Sequence, residues 1–148
     1  MKLAHIFEAQ YPFGNVAPLY RPGDKAIATE LFQWTTRAFG ASAPAPEVLV
    51  VDHEKMQHAA QRAAHHTMAA GQVWGWYSME FPDKVFLSSR LNLTTSSFAR
   101  DTLVHEYTHY LQDNTEKHAD KRPYTHDDVD FLEQEADQLM TRYSKTAN

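Results

Sequence analysis

Residues 103–111 of this 148-residue chain read Leu-Val-His-Glu-Tyr-Thr-His-Tyr-Leu, and this stretch decides the fold prediction. Its apolar residues recur at helical spacing and make one side of a helix strongly apolar: Leu103, Val104, Tyr107, Tyr110 and Leu111. Ser96 or Ser97 can cap this helix, which we expect over about Phe98 to Asn114. The apolar side is expected to pack into the core, which leaves the two histidines at the core boundary.

The two histidines of this stretch have the spacing of a metal site. His105 and His109 are four residues apart, about one turn plus 40° on an α-helix, so both imidazoles project from the same face and can hold one zinc ion. Glu106 is rotated by about 100°, near enough to hydrogen-bond a zinc-bound water without ligating the metal. Zinc would lower the pKa of that water toward about 7, and Glu106 would take its proton and later pass it to the leaving amine. The pattern His-Glu-x-x-His therefore predicts a zinc peptidase, although two surface histidines on an amphipathic helix remain the alternative.

A catalytic zinc site usually has a third protein ligand, and the last predicted helix offers one. Residues 110–115 lack the glycine and histidine of the metzincin continuation, so that class is rejected. Glu133 and Asp137 are four residues apart and share a helix face, so one can ligate zinc while the other orients a ligand histidine. The alternative for Glu133 is an ordinary surface carboxylate. Glu135 points away from this pair and is expected in solvent or in a salt bridge.

The rest of the chain predicts an α+β fold. In the first half of the chain, the expected elements are a helix from an N-cap at Asp24 to about Phe39, a strand over Glu47 to Asp52 and a helix from about Glu54 to Ala69. Strands over Gln72 to Glu80 and Lys84 to Ser89 follow. The last helix is expected to start with a capping box over Thr125 to Asp128 and to end at about Tyr143. Residues 81–84 read Phe-Pro-Asp-Lys and favour a tight turn, so the two later strands are expected to form an antiparallel hairpin. Gly75, inside the first of these strands, indicates a bulge or a close approach by another backbone.

Composition limits the class of protein. We expect a single domain over residues 1–148 with a loop-rich arm over residues 1–23. There is no cysteine, the net charge is −5 and no dense basic block occurs, so disulfides, thiolate ligands and nucleic-acid partners are not expected. The apolar runs are short and the start is not a secretory signal, which favours a cytoplasmic protein with no membrane partner and leaves release by another route open. Of the nine histidines, His58, His65 and His66 are expected to be structural or solvent-facing.

The two motifs together resemble those of the gluzincins, zinc peptidases that pair His-Glu-x-x-His with a downstream glutamate helix. Residues 105–109 match the first motif, and Glu133-Gln134-Glu135-Ala136-Asp137 resembles the second. The resemblance implies a zincin-like fold, a small antiparallel or mixed sheet packed on the helix that carries His105 and on a C-terminal glutamate helix. It also implies that Glu133 is the third zinc ligand and Asp137 its partner. Residues 109–112, His-Tyr-Leu-Gln, are similar to the H-x-x-Q ending of small bacterial zincin-like domains.

The resemblance to compact minigluzincins extends to the hairpin, whose edge strand would bind an extended peptide by strand addition. The candidates for that strand are the segment with Trp74, Gly75, Trp76 and Tyr77, which extends to Met79, and the segment from Val85 to Ser88. Near the ligands in sequence, three side chains are candidates for stabilising an oxyanion or contacting substrate: Tyr124, His126 and Tyr143.

The sequence therefore predicts a zinc metallopeptidase with one zinc ion and a peptide or protein substrate. The first alternative is a catalytically weak or inactive zincin-like binding module that uses zinc structurally. The second is a metal-free helical protein.

Overall fold

A four-stranded mixed sheet and four α-helices make up the computed structural model, which describes residues 11–64 and 72–147 and has the predicted α+β class. In chain order the elements are β1 (Val16–Pro18), α1 (Asp24–Phe39), β2 (Glu47–Val51), α2 (His53–Ala64), β3 (Gly75–Trp76), β4 (Lys84–Ser88), α3 (Ser97–Asn114), a 3-10 turn (Ala119–Lys121) and α4 (His126–Thr146). Within the described ranges, no helix is both long and apolar enough to cross a bilayer.

The sheet has the order β1-β2-β4-β3, with a parallel pair at its centre. β2 pairs with β4 in parallel, and the outer strands β1 and β3 are antiparallel to their neighbours. The predicted hairpin is confirmed, because β3 and β4 are antiparallel and Lys84 N donates to Phe81 O at 3.1 Å across the turn. β4 is paired on both sides, so the segment from Val85 to Ser88 has no open edge. The prediction that this segment could bind a peptide by strand addition was wrong, and β3 is the edge strand of the hairpin.

The two inner strands are buried on both faces. Val48, Val85 and Leu87 belong to the main core with residues of α1 and α3, whereas Leu49, Val51 and Phe86 pack with residues of α2 on the opposite face. This alternation explains why residues 48–51 are a continuous apolar run, since a parallel strand covered on both faces needs apolar residues at every position.

Helix α3 is the centre of the molecule and contacts α1, α4, β3 and β4. Ser96, one of the two predicted caps, accepts a hydrogen bond from Ala99 N at 3.1 Å. The apolar side is buried as predicted, but so are Glu106, Thr108 and Gln112 on other sides of the helix. The burial is wider than the sequence predicted because α4 and β3 cover α3 where the periodicity indicated a boundary with solvent.

Several element ends differ from the prediction. The predicted N-cap Asp24 is the first helical residue and is buried, while Gly23 is the cap, with φ 87°. Glycine suits that left-handed conformation, and a Cβ there would also meet Thr94 Cγ2 at 3.2 Å. The arm over residues 1–23 contains the strand β1, whose pairing with β2 was not predicted. The predicted end of the second helix at Ala69 lies outside the described residues.

The hairpin and the last helix differ in length. The strand predicted over Gln72 to Glu80 is reduced to Gly75–Trp76, because Tyr77 turns toward α3 and a turn follows in which Phe81 N donates to Ser78 O. The capping box of α4 is confirmed, since the Thr125 side chain accepts from Asp128 N and the Asp128 side chain accepts from Thr125 N. α4 then continues three residues beyond the predicted end at Tyr143, to Thr146.

Candidate metal centre

Three predicted ligands converge where α4 crosses α3. His105, His109 and Glu133 each offer a donor atom, and these atoms lie within 4.8 Å of one another. The Glu133 carboxylate bridges the two rings, with Oε1 at 2.7 Å from His105 Nε2 and Oε2 at 3.2 Å from His109 Nε2. Among the described residues this is the one group of three or more such side chains with converging donors. The donor set, two imidazole nitrogens and a carboxylate oxygen, is one that could hold a metal ion and is typical of zinc.

The charges of the cluster hold protons on the imidazoles. Burial lowers the pKa of His105, but hydrogen bonds to Glu106 and Glu133 and their negative charges outweigh it and raise the pKa to about 10. Burial also opposes protonation of His109, and the hydrogen bond to Glu133 and the nearby carboxylates again raise its pKa. Hydrogen bonds from the two rings hold the pKa of Glu133 far below its usual range. The position between the three side chains is therefore electrostatically suited to a cation, and a metal ion would have to displace protons to bind there.

Asp137 reaches the same cluster from the next turn of α4. Its Oδ1 lies 3.1 Å from His105 Nε2, so it contacts a predicted ligand histidine. The contact is at the nitrogen that faces Glu133 rather than at Nδ1. Asp137 is not part of the converging group, which is limited to three donors.

Glu106 is buried beside His105 and is not one of the three converging donors. Its Oε2 lies 3.3 Å from His105 Nδ1, and the side chain also packs under β3. A Cβ on Gly75 would come within 2.8 Å of Glu106 Cγ and 2.9 Å of Thr102 Cγ2. The close approach predicted at Gly75 is thus present, but side chains of α3 rather than another backbone make it. The absence of a side chain at residue 75 lets the edge strand lie directly over the carboxylate.

The segment that contains β3 is fixed to the sheet and to α3 on either side of Gly75. Trp74 O accepts from Ser88 N of β4 at 2.9 Å, so the alternation of an antiparallel pair leaves the peptide groups of Gly75 facing the open edge. The Tyr77 hydroxyl donates to Asp113 Oδ2 at 2.5 Å near the end of α3. Burial and this hydrogen bond raise the pKa of Tyr77 well above its usual range, so the hydroxyl stays protonated.

Glu135 is in a salt bridge, one of its two predicted environments, and is largely buried. Its carboxylate contacts Lys117 Nζ at 3.2 Å and His118 Nε2 at 2.8 Å. It also accepts from Gln112 Nε2 at 3.0 Å. Burial raises the pKa of Glu135, but these three partners outweigh it and lower the pKa. Glu133 and Glu135 thus face different partners, although they are only two residues apart.

Two cavities flank the converging donors. A cavity of about 300 Å³ borders His109 and Glu133, and its apolar lining comes from Met79, Val129 and Leu132. A second cavity, of about 260 Å³, borders His105 and Glu106 on the other side. Its apolar lining includes Trp74, Phe98 and Met140. A larger cavity, of about 480 Å³, is lined by residues of α1 and β2 and by none of the converging donors.

The three candidates for oxyanion stabilisation have different environments. Tyr124 lines the cavity beside His109, and its hydroxyl interacts with Arg122 Nε and Gln112 O. His126 is exposed in the first turn of α4. Tyr143 packs edge-on against Trp34 at 5.2 Å, about 15 Å along the helix axis from Glu133, so the prediction that it could stabilise an oxyanion at this site was wrong. Proximity in sequence failed because a helix carries residues ten positions apart to different ends of the molecule.

Other histidines and one arginine also have clear positions. His58 is exposed on α2, in agreement with the prediction, while His65 and His66 lie outside the described residues. Arg122 donates from Nη2 to Gln112 O, Asp113 O and Thr115 O at 2.7–2.9 Å and so caps the end of α3. The sequence signal for this cap is weak, since a cation after a helix is common.

In the metal-free protein, Glu135→Ala is expected to be more destabilising than Glu133→Ala. Glu135→Ala leaves the buried donors of Gln112 and His118 without their acceptor and should lower the free energy of unfolding by about 2–4 kcal/mol. Glu133→Ala removes a carboxylate that is 53% exposed, so a loss below about 1 kcal/mol is expected. Urea unfolding in the presence of a chelator measures both values, and a larger loss for Glu133→Ala would contradict the assignment.

No protein-family model matches this chain, and neither does any curated protein or solved structure.

Proposed function

We propose that this protein is a zinc-dependent metallopeptidase that hydrolyses peptide bonds, with His105, His109 and Glu133 as the zinc ligands. The convergence of these three donors between α3 and α4 carries the proposal. The number of donors also supports an enzyme, because a catalytic zinc site has three protein ligands and one open position, whereas a structural site has four. When bound, zinc would supply a Lewis acid that lowers the pKa of water and polarises the scissile carbonyl.

Glu106 is the proposed general base. It is buried, lies next to a ligand histidine and borders the cavity on that side. From this position its carboxylate takes a proton from the attacking water and passes it to the leaving amine. A zinc site that serves stability alone has no need of such a carboxylate, which favours the enzyme over the structural module. We expect the reaction to take place in the cytoplasm.

We propose that the substrate binds along the open edge of β3. The peptide groups of Gly75 face that edge, and the close packing of Gly75 on Glu106 brings the edge next to the general base. An extended peptide that adds to β3 would therefore pass its backbone over the metal centre. The proposed substrate is accordingly an unfolded segment or a short peptide, since a folded domain offers few extended strands.

The side chains around the metal centre favour an apolar substrate. Among the described residues, five large apolar side chains are exposed, and three of them border the flanking cavities. Met79 and Val129 are 59% and 52% exposed beside His109, and Phe98 is 51% exposed beside the other cavity. Exposed apolar groups concentrated at a cleft mark a binding surface. We therefore propose bulky apolar residues on both sides of the cleaved bond.

Zinc affinity is expected to fall more in Glu133→Ala than in Glu135→Ala, which is the opposite order to the expected losses of stability. Loss of a residue that only supports a ligand weakens metal binding by up to roughly 100-fold, and Glu133→Ala should weaken zinc binding by more than that because it removes a ligand. Glu135→Ala should weaken it by about tenfold. Competition with a chromophoric chelator at pH 7 gives both affinities, with wild type expected to bind about one ion per chain. Equal losses, or a larger loss for Glu135→Ala, would remove Glu133 from the ligand set.

Catalysis and zinc binding are expected to separate in Glu106→Gln. The amide cannot accept the proton of the attacking water, so cleavage of a peptide library should fall by at least about 100-fold while zinc remains bound. Metal analysis of the same sample provides the control. Wild-type cleavage rates in this variant would defeat the mechanism, and stoichiometric zinc with no cleavage by wild type would favour the structural module.

Substrate preference is expected to change in Val129→Asp. A carboxylate in the cavity beside His109 should lower kcat/KM by about tenfold or more for substrates with a bulky apolar residue at that subsite. Thr141→Asp places the same charge on an exposed position further along α4 and is the matched control. Both variants should bind zinc as wild type does. An unchanged preference in Val129→Asp would exclude this cavity as a substrate subsite.

A further inference from the structure

The amide of Gln112 has only one orientation that satisfies its partners. Its Nε2 lies 2.8 Å from Leu132 O and 3.0 Å from Glu135 Oε1. A peptide carbonyl and a carboxylate only accept hydrogen bonds, so the NH₂ group of Gln112 must face them. The side chain is 2% exposed, and the two contacts leave it no alternative arrangement with the same number of hydrogen bonds.

This orientation directs the carbonyl of Gln112 at His109. Gln112 Oε1 lies 2.9 Å from His109 Nδ1, and since Oε1 can only accept, Nδ1 must carry a proton. Neutral and cationic imidazoles both satisfy this requirement, whereas the neutral tautomer with its proton on Nε2 does not. The nitrogen left to bind a metal ion is therefore Nε2, the one that faces Glu133.

We propose that Gln112, held in place by Glu135, is a positioning residue that fixes the tautomer and ring orientation of His109 for metal binding. Glu135 is itself fixed by Lys117 and His118, so its carboxylate presents one oxygen to Gln112 at a constant place. The proposal rests on the metal site proposed above. It gives Glu135 a role in that site, although the helix periodicity directs its side chain away from Glu133.

Gln112 also links the two helices beside the metal centre. Its second acceptor, Leu132 O, belongs to the residue directly before Glu133. One side chain of α3 thus orients a ligand on its own helix and contacts the backbone of α4 next to the ligand on the other helix. Loss of the amide is expected to disturb His109 and Glu133 together, which a residue that only fills space would not do.

The test uses Gln112→Leu, with Gln57→Leu as the matched control. Gln57 is also a buried glutamine with three hydrogen bonds to other residues, but its partners are His53 and Val73. Zinc affinity should fall by about 10–100-fold in Gln112→Leu and by less than about threefold in Gln57→Leu. Equal affinities in the two variants would overturn the proposal.

A second readout does not depend on zinc. In metal-free wild type at pH 7, NMR with ¹⁵N-labelled histidine should detect the Nδ1–H proton of His109 as a signal protected from exchange with water. Gln112→Leu should lose that protection while the signals of the other buried histidines persist, and a signal that is unchanged in Gln112→Leu would overturn the proposal. If wild type binds no zinc, the proposed peptidase fails, and this comparison still decides whether Gln112 positions His109.

The same spectra guard against simple misfolding of Gln112→Leu. His53 and His118 are buried histidines outside the converging donors, and each has hydrogen-bond partners of its own. In a folded Gln112→Leu variant their signals should persist while the protected signal of His109 is lost.

Discussion

The packing of α4 against α3 is the constraint on which the candidate site depends. Neither helix holds three converging donors alone, because α3 supplies the two imidazoles and α4 supplies the carboxylate. Leu132, Ala136 and Leu139 bury the inner side of α4, and this burial fixes the rotation of the helix about its axis. Glu133 and Asp137 flank that apolar row and reach the edge of the contact, where His105 is accessible from the cleft. Core packing and the convergence of the three donors are therefore set by the same contact.

Because α3 is buried on nearly all sides, each polar group on it needs a hydrogen-bond partner. A buried donor or acceptor without a partner costs about 1–3 kcal/mol, so polar residues persist in such a helix only where partners exist. Thr102 and Thr108 satisfy their hydroxyls with carbonyls one turn back on the same helix. Gln112 instead reaches across to α4, and Glu106 lies between His105 and β3. The residues of α3 whose polar groups are not fully satisfied by hydrogen-bond partners on α3 are those that define the candidate site.

The sequence predicted the parts of the site that follow from helix geometry and missed those that follow from packing between elements. The common face of His105 and His109 needs only a helical repeat, and the pairing of Glu133 with Asp137 follows from the same rule. The contacts of Gln112 and Glu135 arise only when α4 lies on α3, and no spacing within one helix predicts them. The same limit explains Tyr143, placed near the ligands by sequence proximity alone. β3 is shorter than predicted because Tyr77 is drawn to Asp113 of α3, a contact between segments far apart in sequence.

The charge balance of the cluster favours positive charge between its side chains. Glu106, Glu133 and Asp137 place three carboxylates around His105; Glu106 is buried, whereas the side chains of Glu133 and Asp137 are 53% and 57% exposed. Solvent screens the two exposed carboxylates in part, but the three negative charges still favour positive charge at the imidazoles between them. In the absence of metal, protons on His105 and His109 supply that charge, which is the reason for their raised pKa values. A divalent ion supplies the same charge at one point and releases those protons. The affinity for zinc at the proposed site is therefore expected to increase as the pH rises, because a metal ion has to displace those protons, and chelator competition at several pH values measures it.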